Sequence, residues 1–162
     1  MKKIGKKELV LLVLAIIVFI SALGYFCYKE IPELIKPKVY YRTYTKEKGW
    51  SRWSKNGEIS GNKYSIRAIQ IKNSRNLDIK YSLRFKNNKW SEKTIKNKEV
   101  IGDKQDNITA IGLSLPKLEK KYKIIYRISS SNQKWYDYIE NGMISYNNKD
   151  EIKYIQIKIV ER

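Results

Sequence analysis

The sequence contains no histidine and a single cysteine, Cys27, among its 162 residues. Without histidine, every catalytic pair in which an imidazole activates a nucleophile is excluded. One cysteine can form neither an intramolecular disulfide nor a thiolate cluster for a metal. The acidic residues are scattered along the chain, and no glycine-rich phosphate loop is present. We therefore expect no catalytic residue, no enzyme activity, no metal site and no cofactor.

Acidic residues are also few, 16 Asp and Glu against 34 Lys and Arg, which gives a formal net charge of +18. From Lys29 onward the counts are 30 basic against 15 acidic residues. This excess favours attraction to polyanions such as wall polymers, anionic lipid headgroups or nucleic acid. Codon usage in an A/T-rich genome, combined with solubility, would give the same lysine-rich composition, so the charge by itself does not choose a partner.

The amino end predicts a membrane anchor. A basic head at residues 1–8 carries four lysines, and residues 9–28 follow without a charge. At about 1.5 Å per residue this run spans roughly 30 Å, the thickness of the hydrocarbon core of a bilayer. The lysines predict a cytoplasmic amino terminus and an extracellular remainder. Small residues around Gly24 leave a second interpretation open, a signal peptide cleaved there to give a secreted protein.

After the apolar run, residues 29–38 contain Pro32 and Pro37 and predict a short, semi-rigid, extended tether. Beyond it helical periodicity is almost absent. Alternating apolar and polar residues at 39–44, 79–85 and 122–128 instead predict half-buried strands.

These strands open three near-copies of one segment. In each copy a tyrosine precedes a tryptophan by nine positions: Tyr41 and Trp50, Tyr81 and Trp90, Tyr126 and Trp135. Each copy ends in an apolar segment, at 66–71, 108–113 and 152–157. The period of about 40 to 45 residues is typical of a repeat architecture.

The turn in each copy lies between the tryptophan and the closing segment. Asn56-Gly57 and Asn141-Gly142 predict type I′ hairpin turns, whose two central positions both need positive φ. The second copy has Asn97-Lys98 there, which predicts a longer turn or one of another type.

No copy can bury its apolar face alone, so we expect the three to pack around a shared core with about nine to twelve strands. The predicted fold is an all-β, pseudo-threefold domain over residues 39–162, with repeats at about 39–78, 79–121 and 122–162. A β-trefoil and a β-prism both satisfy this count.

The chain from Val39 onward resembles the clostridial hydrophobic-W (ChW) repeat family, above all at Gly49-Trp50, Asn56-Gly57-Glu58-x2-Gly61 and Arg67-Ala68-Ile69-Gln70-Ile71. Family members occur on secreted and surface proteins of Gram-positive bacteria, usually in threes, and the resemblance implies carbohydrate binding or adhesion. In this chain Lys89 and Lys134 replace the glycine before tryptophan. The usual Arg-Leu-Glu of the closing strand is replaced by Ser65-Ile66-Arg67, so no role of that glutamate carries over.

A large aromatic residue at the same place in every copy predicts a core position, so the core is expected to hold Trp50, Trp90, Trp135, Tyr41, Tyr81 and Tyr126. Trp53 and Tyr138 each follow a repeat tryptophan by three positions, where the second copy has Lys93. In a strand, that offset puts Trp53 on the face opposite Trp50, exposed beside Arg52. Trp53, Arg52 and Tyr138 are therefore the candidate ligand-binding residues.

Two functions from different classes follow. The first is a membrane-anchored, non-catalytic binding or adhesion module for a glycan or an anionic cell-wall polymer. The second is a scaffold that pairs with another envelope protein and binds no small ligand. Nucleic acid is the weakest of the partners considered, because charge spread over all repeats indicates only general polyanion affinity.

Overall fold

The computed structural model describes residues 5–75, 78–95, 98–116, 120–131, 134–146 and 150–162, and for residues 29–35, 95, 131, 145 and 146 it describes the backbone alone. The chain divides into two compact units, Met1–Lys36 and Pro37–Arg162. The described part of the first unit is a single apolar helix, and the second is built from β-strands. The expectation of a β-sheet domain after one N-terminal helix is confirmed.

Helix α1 covers Lys6–Ile35, and the Glu8 carboxylate accepts a hydrogen bond from the Gly5 N–H (2.9 Å) at its start. Its segment Lys6–Tyr28 has 23 residues, a mean hydropathy of 2.9 and no buried surface. By length and composition this segment fits a membrane span and equally a signal sequence. Residues 1–4 of the predicted basic head lie outside the described residues.

The helix is longer than the sequence predicts. It continues to Ile35 through Pro32, so the predicted extended tether at residues 29–38 is helical over most of its length. A proline inside a helix removes one hydrogen bond, here the one to the carbonyl of residue 28. The glutamates and leucine around it are good helix formers, which favours continuation.

The second unit contains fourteen described strands. The first repeat holds β1 (Val39–Thr45), β2 (Gly49–Trp50), β3 (Ser54–Lys55), β4 (Ile59–Gly61) and β5 (Ala68–Asn73). The second repeat holds β6 (Ile79–Phe85), β7 (Trp90–Ile95), β8 (Val100–Ile101) and β9 (Ile108–Ser114). The third repeat holds β10 (Tyr122–Ser131), β11 (Lys134–Trp135), β12 (Ile139–Glu140), β13 (Ile144–Tyr146) and β14 (Tyr154–Glu161).

The count exceeds the expected twelve because the tryptophan-bearing strand is interrupted in two repeats. Residues 51–53 separate β2 from β3, and residues 136–138 separate β11 from β12, whereas β7 is continuous. Between the pairs Tyr44–Trp50 and Tyr41–Ser54, β1 advances by three residues and its partner by four. The first repeat therefore carries a one-residue bulge, and the third repeat carries the same one.

The strands form three sheets, each built mainly by one repeat: the first sheet from β1, β2, β3 and β5, the second from β6, β7 and β9, and the third from β10, β11, β12 and β14. Each sheet is extended by a short strand from another repeat. Strand β8 pairs with β5, β13 pairs with β9, and β4 pairs with β14. The second repeat thus lends a strand to the first sheet, the third repeat to the second sheet, and the first repeat to the third sheet. This strand exchange closes a cycle around the three repeats.

Three equivalent isoleucines repeat this cycle in the interior. The Ile66 N–H donates to the Ile152 carbonyl (2.8 Å), the Ile152 N–H to the Ile108 carbonyl (2.9 Å), and the Ile108 N–H to the Ile66 carbonyl (2.9 Å). The three residues are at most 1% exposed. This isoleucine ring satisfies its backbone groups across repeats, which a buried backbone requires.

The Asn-Gly turns do not close hairpins, and that prediction is wrong. Each turn passes the chain from one sheet to the next, since β3 pairs with β1 but β4 with β14, and β12 with β10 but β13 with β9. Asn141 (φ 29°) and Gly142 (φ 87°) have the signs of a type I′ turn, but in the first repeat only Gly57 (φ 86°) is positive. In the second repeat Asn97 lies outside the described residues, and Lys98 takes the place of Gly57 with φ 73°.

Candidate binding surfaces

The repeat tryptophans lie on the outer faces of the sheets, and their predicted place in the core is wrong. Trp90 is 49% exposed, and Trp50 and Trp135 are half-buried, whereas Tyr41 and Tyr126 are completely buried. The register gives the reason. Trp50 lies opposite Tyr44, three positions after Tyr41, and an odd offset along a strand reverses the face. The tyrosine therefore points inward and the tryptophan outward.

Trp53 lies on the same side as Trp50 and not on the opposite one. The bulge at residues 51–53 adds one residue to the strand, which cancels the reversal expected from an offset of three. The Arg42 guanidinium carbon lies 4.8 Å from the ring centroid of Trp50 and 4.8 Å from that of Trp53. The two indoles thus hold one arginine between them.

Lysines extend this arrangement in both directions. Lys72 Nζ lies 4.3 Å from the centroid of Trp53 and 5.5 Å from that of Tyr40. Lys104 Nζ lies 5.5 Å from the centroid of Trp50 and 5.4 Å from that of Tyr44. We call this alternation of rings and cations the first ladder: Tyr40, Lys72, Trp53, Arg42, Trp50, Lys104 and Tyr44.

A glutamine fixes the central arginine of the first ladder. Arg42 Nε donates to Gln70 Oε1 (2.8 Å), and Gln70 Nε2 donates to the Lys98 carbonyl (2.5 Å) in the turn of the second repeat. Each cation of the ladder contacts two aromatic rings, so the three cations are held in place without a ligand.

The third sheet carries an equivalent set, the third ladder, made of Trp135, Arg127, Tyr138 and Lys158. The Arg127 guanidinium carbon lies 4.7 Å from the ring centroid of Trp135 and 4.6 Å from that of Tyr138, and Lys158 Nζ lies 4.8 Å from the latter. Arg127 Nε donates to Gln156 Oε1 (2.7 Å), and Gln156 Nε2 donates to the Gly57 carbonyl. The Tyr138 hydroxyl also donates to Gln156 Oε1 (2.6 Å).

The three predicted ligand-binding residues are thus placed differently from one another. Trp53 belongs to the first ladder and Tyr138 to the third, on two different sheets. Arg52 is exposed, but Arg42 and not Arg52 occupies the space between the indoles. The structure does not bring the three together in one site.

Sequence reasoning missed Arg42 and Arg127, and a signal for them was present. Each arginine directly follows the buried tyrosine that recurs in every repeat, and in both repeats a glutamine stands four positions after the ring isoleucine. The matching positions of the second repeat are Ser82 and Gly112. The joint presence or absence of arginine and glutamine indicates that they touch.

The buried tyrosine hydroxyls link repeats in the interior. The Tyr126 hydroxyl accepts from the Leu113 N–H (2.9 Å) and donates to the Met143 carbonyl, and Tyr41 bonds Ile157 (2.9 Å) and Glu58 in the same way. Burial raises the pKa of Tyr126 to about 12, against a smaller lowering by the Leu113 N–H, and burial also raises the pKa of Tyr41. Both hydroxyls stay protonated and keep these bonds at neutral pH.

The residues before the ring isoleucines form a polar cluster, Ser65, Asn107 and Glu151. The Ser65 hydroxyl donates to Glu151, and Lys86 Nζ lies 2.7 Å from Glu151 Oε1. Burial by itself would raise the pKa of the Glu151 carboxyl, but hydrogen bonds from Lys86, Ser65 and Asn107 and the charge of Lys86 lower it to about 2. The carboxylate joins side chains from all three repeats.

Within the described ranges, no group of three or more His, Cys, Asp or Glu side chains is placed to hold a metal ion. Comparisons with protein-family models, curated proteins and solved structures find no match. Function is therefore inferred from the ladders, the helix and the threefold frame themselves.

Proposed function

We propose that this protein is a single-pass, membrane-anchored, non-catalytic binding module that holds an anionic cell-wall polymer outside the cell. In this proposal α1 spans the membrane with the lysine-rich head in the cytoplasm, and the repeat domain is extracellular. The length and hydropathy of Lys6–Tyr28 support the anchor, and the head lysines support the orientation. The module needs no cofactor and carries out no reaction.

The ladders are the observation that supports the anionic ligand. They hold Arg42, Lys72 and Lys104 on one sheet and Arg127 and Lys158 on another, each over an aromatic ring. A cation that is already ordered loses less conformational entropy on binding than a free lysine does. Rows of such cations suit a chain of phosphates or carboxylates.

The same geometry argues against sugar stacking on Trp53. An indole stacks on a sugar through its open face, but Arg42 and Lys72 both lie within 4.8 Å of the Trp53 centroid. A sugar would have to displace cation–π contacts worth about 0.5–1 kcal/mol each. On the first and third sheets we therefore favour the anionic polymer over a neutral glycan.

We further propose that the domain is a divergent hydrophobic-W repeat domain closed in the manner of a β-prism. Three separate sheets joined by cyclic strand exchange support the prism over the trefoil. The resemblance of the segment 49–71 supports the family. A solved structure showing six strands in one closed barrel would contradict the prism.

The test is binding of the full chain, in nanodiscs of zwitterionic lipid, to poly(glycerol phosphate) and to a neutral glycan array at low and high salt. The variant Lys72→Gln/Lys158→Gln removes one cation from each ladder. Its matched control, Lys46→Gln/Lys55→Gln, removes two exposed lysines outside the ladders. We expect the ladder variant to lose about tenfold in affinity for the polymer, equivalent to 1.4 kcal/mol, and the control to lose much less. Equal losses would mean that only net charge matters.

A second candidate, a scaffold for another envelope protein, is favoured by one observation. Each repeat exposes an apolar residue at the same position of its short edge strand: Ile59 (52%), Val100 (41%) and Ile144 (38%). Exposed apolar residues on sheet edges can mark protein contacts. A photo-crosslinker at position 59 that yields one discrete adduct in cells, while one at position 46 yields none, would support the scaffold.

A further inference from the structure

The two ladders are separate sets of cations on different sheets of one folded domain. The first sheet and the third sheet share none of their described strands. In the described contacts, every ladder cation lies over aromatic rings of one sheet only. A ligand on one ladder therefore occupies none of the cations of the other.

Both ladders point away from the core that their sheets share. Tyr41 on β1 and Tyr126 on β10 are buried in one hydrophobic cluster, and each is followed directly by the arginine of its ladder, Arg42 or Arg127. Successive side chains of a strand point to opposite faces of the sheet. The Tyr41 hydroxyl accepts from the Ile157 N–H of the third sheet (2.9 Å), so the inner faces of the two sheets meet. Their outer faces, which carry the ladders, consequently point in different directions.

The corner between the two sheets is unsuited to a polyanion. The turn at residues 56–58 joins the sheets, since β3 belongs to the first and β4 to the third. It contains no cation, and the carboxylate of its exposed Glu58 accepts from the Lys55 N–H (2.9 Å). Ile59, which follows, is apolar and 52% exposed. A polyanion that crossed this corner would meet a negative charge held in place, and like charges brought together oppose binding.

The second sheet lacks the cations that the other two sheets share. Ser82 stands where the first sheet has Arg42, and Ser114 stands where it has Lys72. A serine at these positions carries no charge for a phosphate or a carboxylate. The cations common to the two ladders thus occur on two of the three outer faces.

We propose that the repeat domain binds two anionic polymer chains at once, one on the first ladder and one on the third, and thereby cross-links them. Both chains are wall polymers of the kind in the proposed function, on which this inference rests. Because the ladders belong to one folded domain, the two chains are held together without contact between two copies of the protein. A polymer that reaches several such domains is joined to its neighbours at each of them, which strengthens its retention.

The two ladders should differ in affinity. The first holds three cations, Arg42, Lys72 and Lys104, and the third holds two, Arg127 and Lys158. Each further cation adds attraction for a polyanion. We therefore expect the first ladder to fill before the third as the polymer concentration rises.

The experiment uses the full chain in nanodiscs of zwitterionic lipid that carry one copy each, with a hexamer of glycerol phosphate at about 0.15 M salt. At that ionic strength the Debye length is about 8 Å, so attraction by distant charges is largely screened. Titration calorimetry counts the hexamers bound per chain. Energy transfer between donor-labelled and acceptor-labelled hexamers detects two of them on the same chain. We expect two bound hexamers and energy transfer between them.

Matched variants remove one ladder at a time. Arg42→Gln/Lys72→Gln acts on the first sheet, and Arg127→Gln/Lys158→Gln acts at the equivalent positions of the third. Each should lower the number of bound hexamers from two to one and abolish the energy transfer. The hexamer that still binds shows that the domain of each variant is folded.

The control is Lys80→Gln/Lys93→Gln, which removes the same charge from two exposed lysines of the second sheet. It should keep two bound hexamers and the energy transfer. Loss of one hexamer in this control as well would mean that net charge sets the number, and would overturn the inference.

The remaining outcomes distinguish the two-chain inference from the function on which it rests. One hexamer per wild-type chain, without energy transfer, would overturn the cross-link and leave polymer binding intact. Two hexamers that stay bound in both ladder variants would overturn the assignment of the two sites to the ladders. A chain that binds neither the hexamer nor poly(glycerol phosphate) would refute the proposed function itself, and the cross-link with it.

Discussion

The three repeats are equivalent in the interior of the domain but differ on its outer faces. In the interior, Ile66, Ile108 and Ile152 make three equivalent backbone hydrogen bonds, all between 2.8 and 2.9 Å. On the outside, the second sheet has Ser82 where the first and third sheets have Arg42 and Arg127. The threefold relation is kept at the centre and lost at the surface.

This difference follows from how each region is stabilised. The central bonds use backbone atoms in a buried environment, where an unsatisfied group costs about 1–3 kcal/mol, so no repeat can deviate alone. The surface contacts are cation–π pairs, which contribute about 0.5–1 kcal/mol each, and hydrogen bonds of Gln70 and Gln156, which contribute about 0.5–1.5 kcal/mol each. One sheet can therefore lose its ladder and remain folded. Three substitutions test this contrast.

The largest effect is expected for Gly61→Ala, where a short strand meets the neighbouring repeat. Gly61 has φ 124°, and a Cβ there would lie 2.1 Å from the Lys153 carbonyl oxygen. Alanine must push β4 away from β14, so we expect a loss of more than about 3 kcal/mol in the free energy of unfolding. Urea denaturation followed by tryptophan fluorescence measures it, since all four tryptophans lie in the repeat domain.

Gly49→Ala is the matched control for Gly61→Ala. Gly49 also has positive φ, 69°, but nothing lies within 4 Å of its Cβ position. Only the backbone strain of about 1–2 kcal/mol should appear. If both variants lose the same amount, the close approach between repeats does not contribute and the interpretation is wrong.

An intermediate, pH-dependent effect is expected for Glu151→Gln. The folded-state pKa of Glu151, about 2, lies below the ordinary value of about 4.3. The stabilisation is therefore complete above the ordinary pKa and is lost as the pH falls toward 2. We expect the variant to cost about 1.5–3 kcal/mol at pH 7, as for hydrogen bonds to a charged group, and almost nothing near pH 2.

Urea curves at pH 7, 4 and 2.5 would show this convergence of wild type and variant. Glu47→Gln, at an exposed turn, serves as the control and should show a small difference at every pH. A wild-type advantage over Glu151→Gln that stays constant down to pH 2.5 would contradict the assigned role of the carboxylate.

The smallest effect is expected for Lys98→Gly, which should increase the stability of the domain. Lys98 holds φ 73° at the position where the other repeats have Gly57 and Gly142, with φ 86° and 87°. Glycine adopts this conformation without the Cβ strain, so Lys98→Gly should stabilise the domain by about 0.5–1 kcal/mol. Lys48→Gly, in a turn without positive φ, should instead lower stability slightly. The midpoint of urea denaturation distinguishes the two signs.

The alternation in the sequence was sufficient to predict which residues face the core along the opening strands. Buried and partly exposed residues alternate without error along β1, from Val39 to Thr45. The face of the tryptophans was predicted incorrectly because it depends on pairing register, and Trp50 takes its side from Tyr44 across the strand. The bulge that places Trp53 on the same face as Trp50 cannot be recognised from the alternation of apolar and polar residues.

The remaining features depend on contacts between distant parts of the chain. Lys72 and Lys104 join the first ladder from the closing strand and from the next repeat, so no local motif contains them. The cyclic exchange was hidden because an Asn-Gly turn indicates a reversal of the chain but does not tell which strand the next segment joins. Three similar repeats indicate that the repeats pack into a closed domain, but they do not distinguish a β-trefoil from a β-prism.

The strand exchange delays folding of the first repeat during synthesis, because its short strand β4 pairs with a strand that is made much later. Gly61 pairs with Tyr154, which follows it by 93 residues. At roughly 5–20 residues per second, the first repeat waits about 5 to 20 s after it is made before its short strand finds its partner. During that interval the edge of the third sheet does not yet exist and the apolar side of the first repeat stays uncovered. We expect the nascent domain to need protection from aggregation until its last strand has been synthesised.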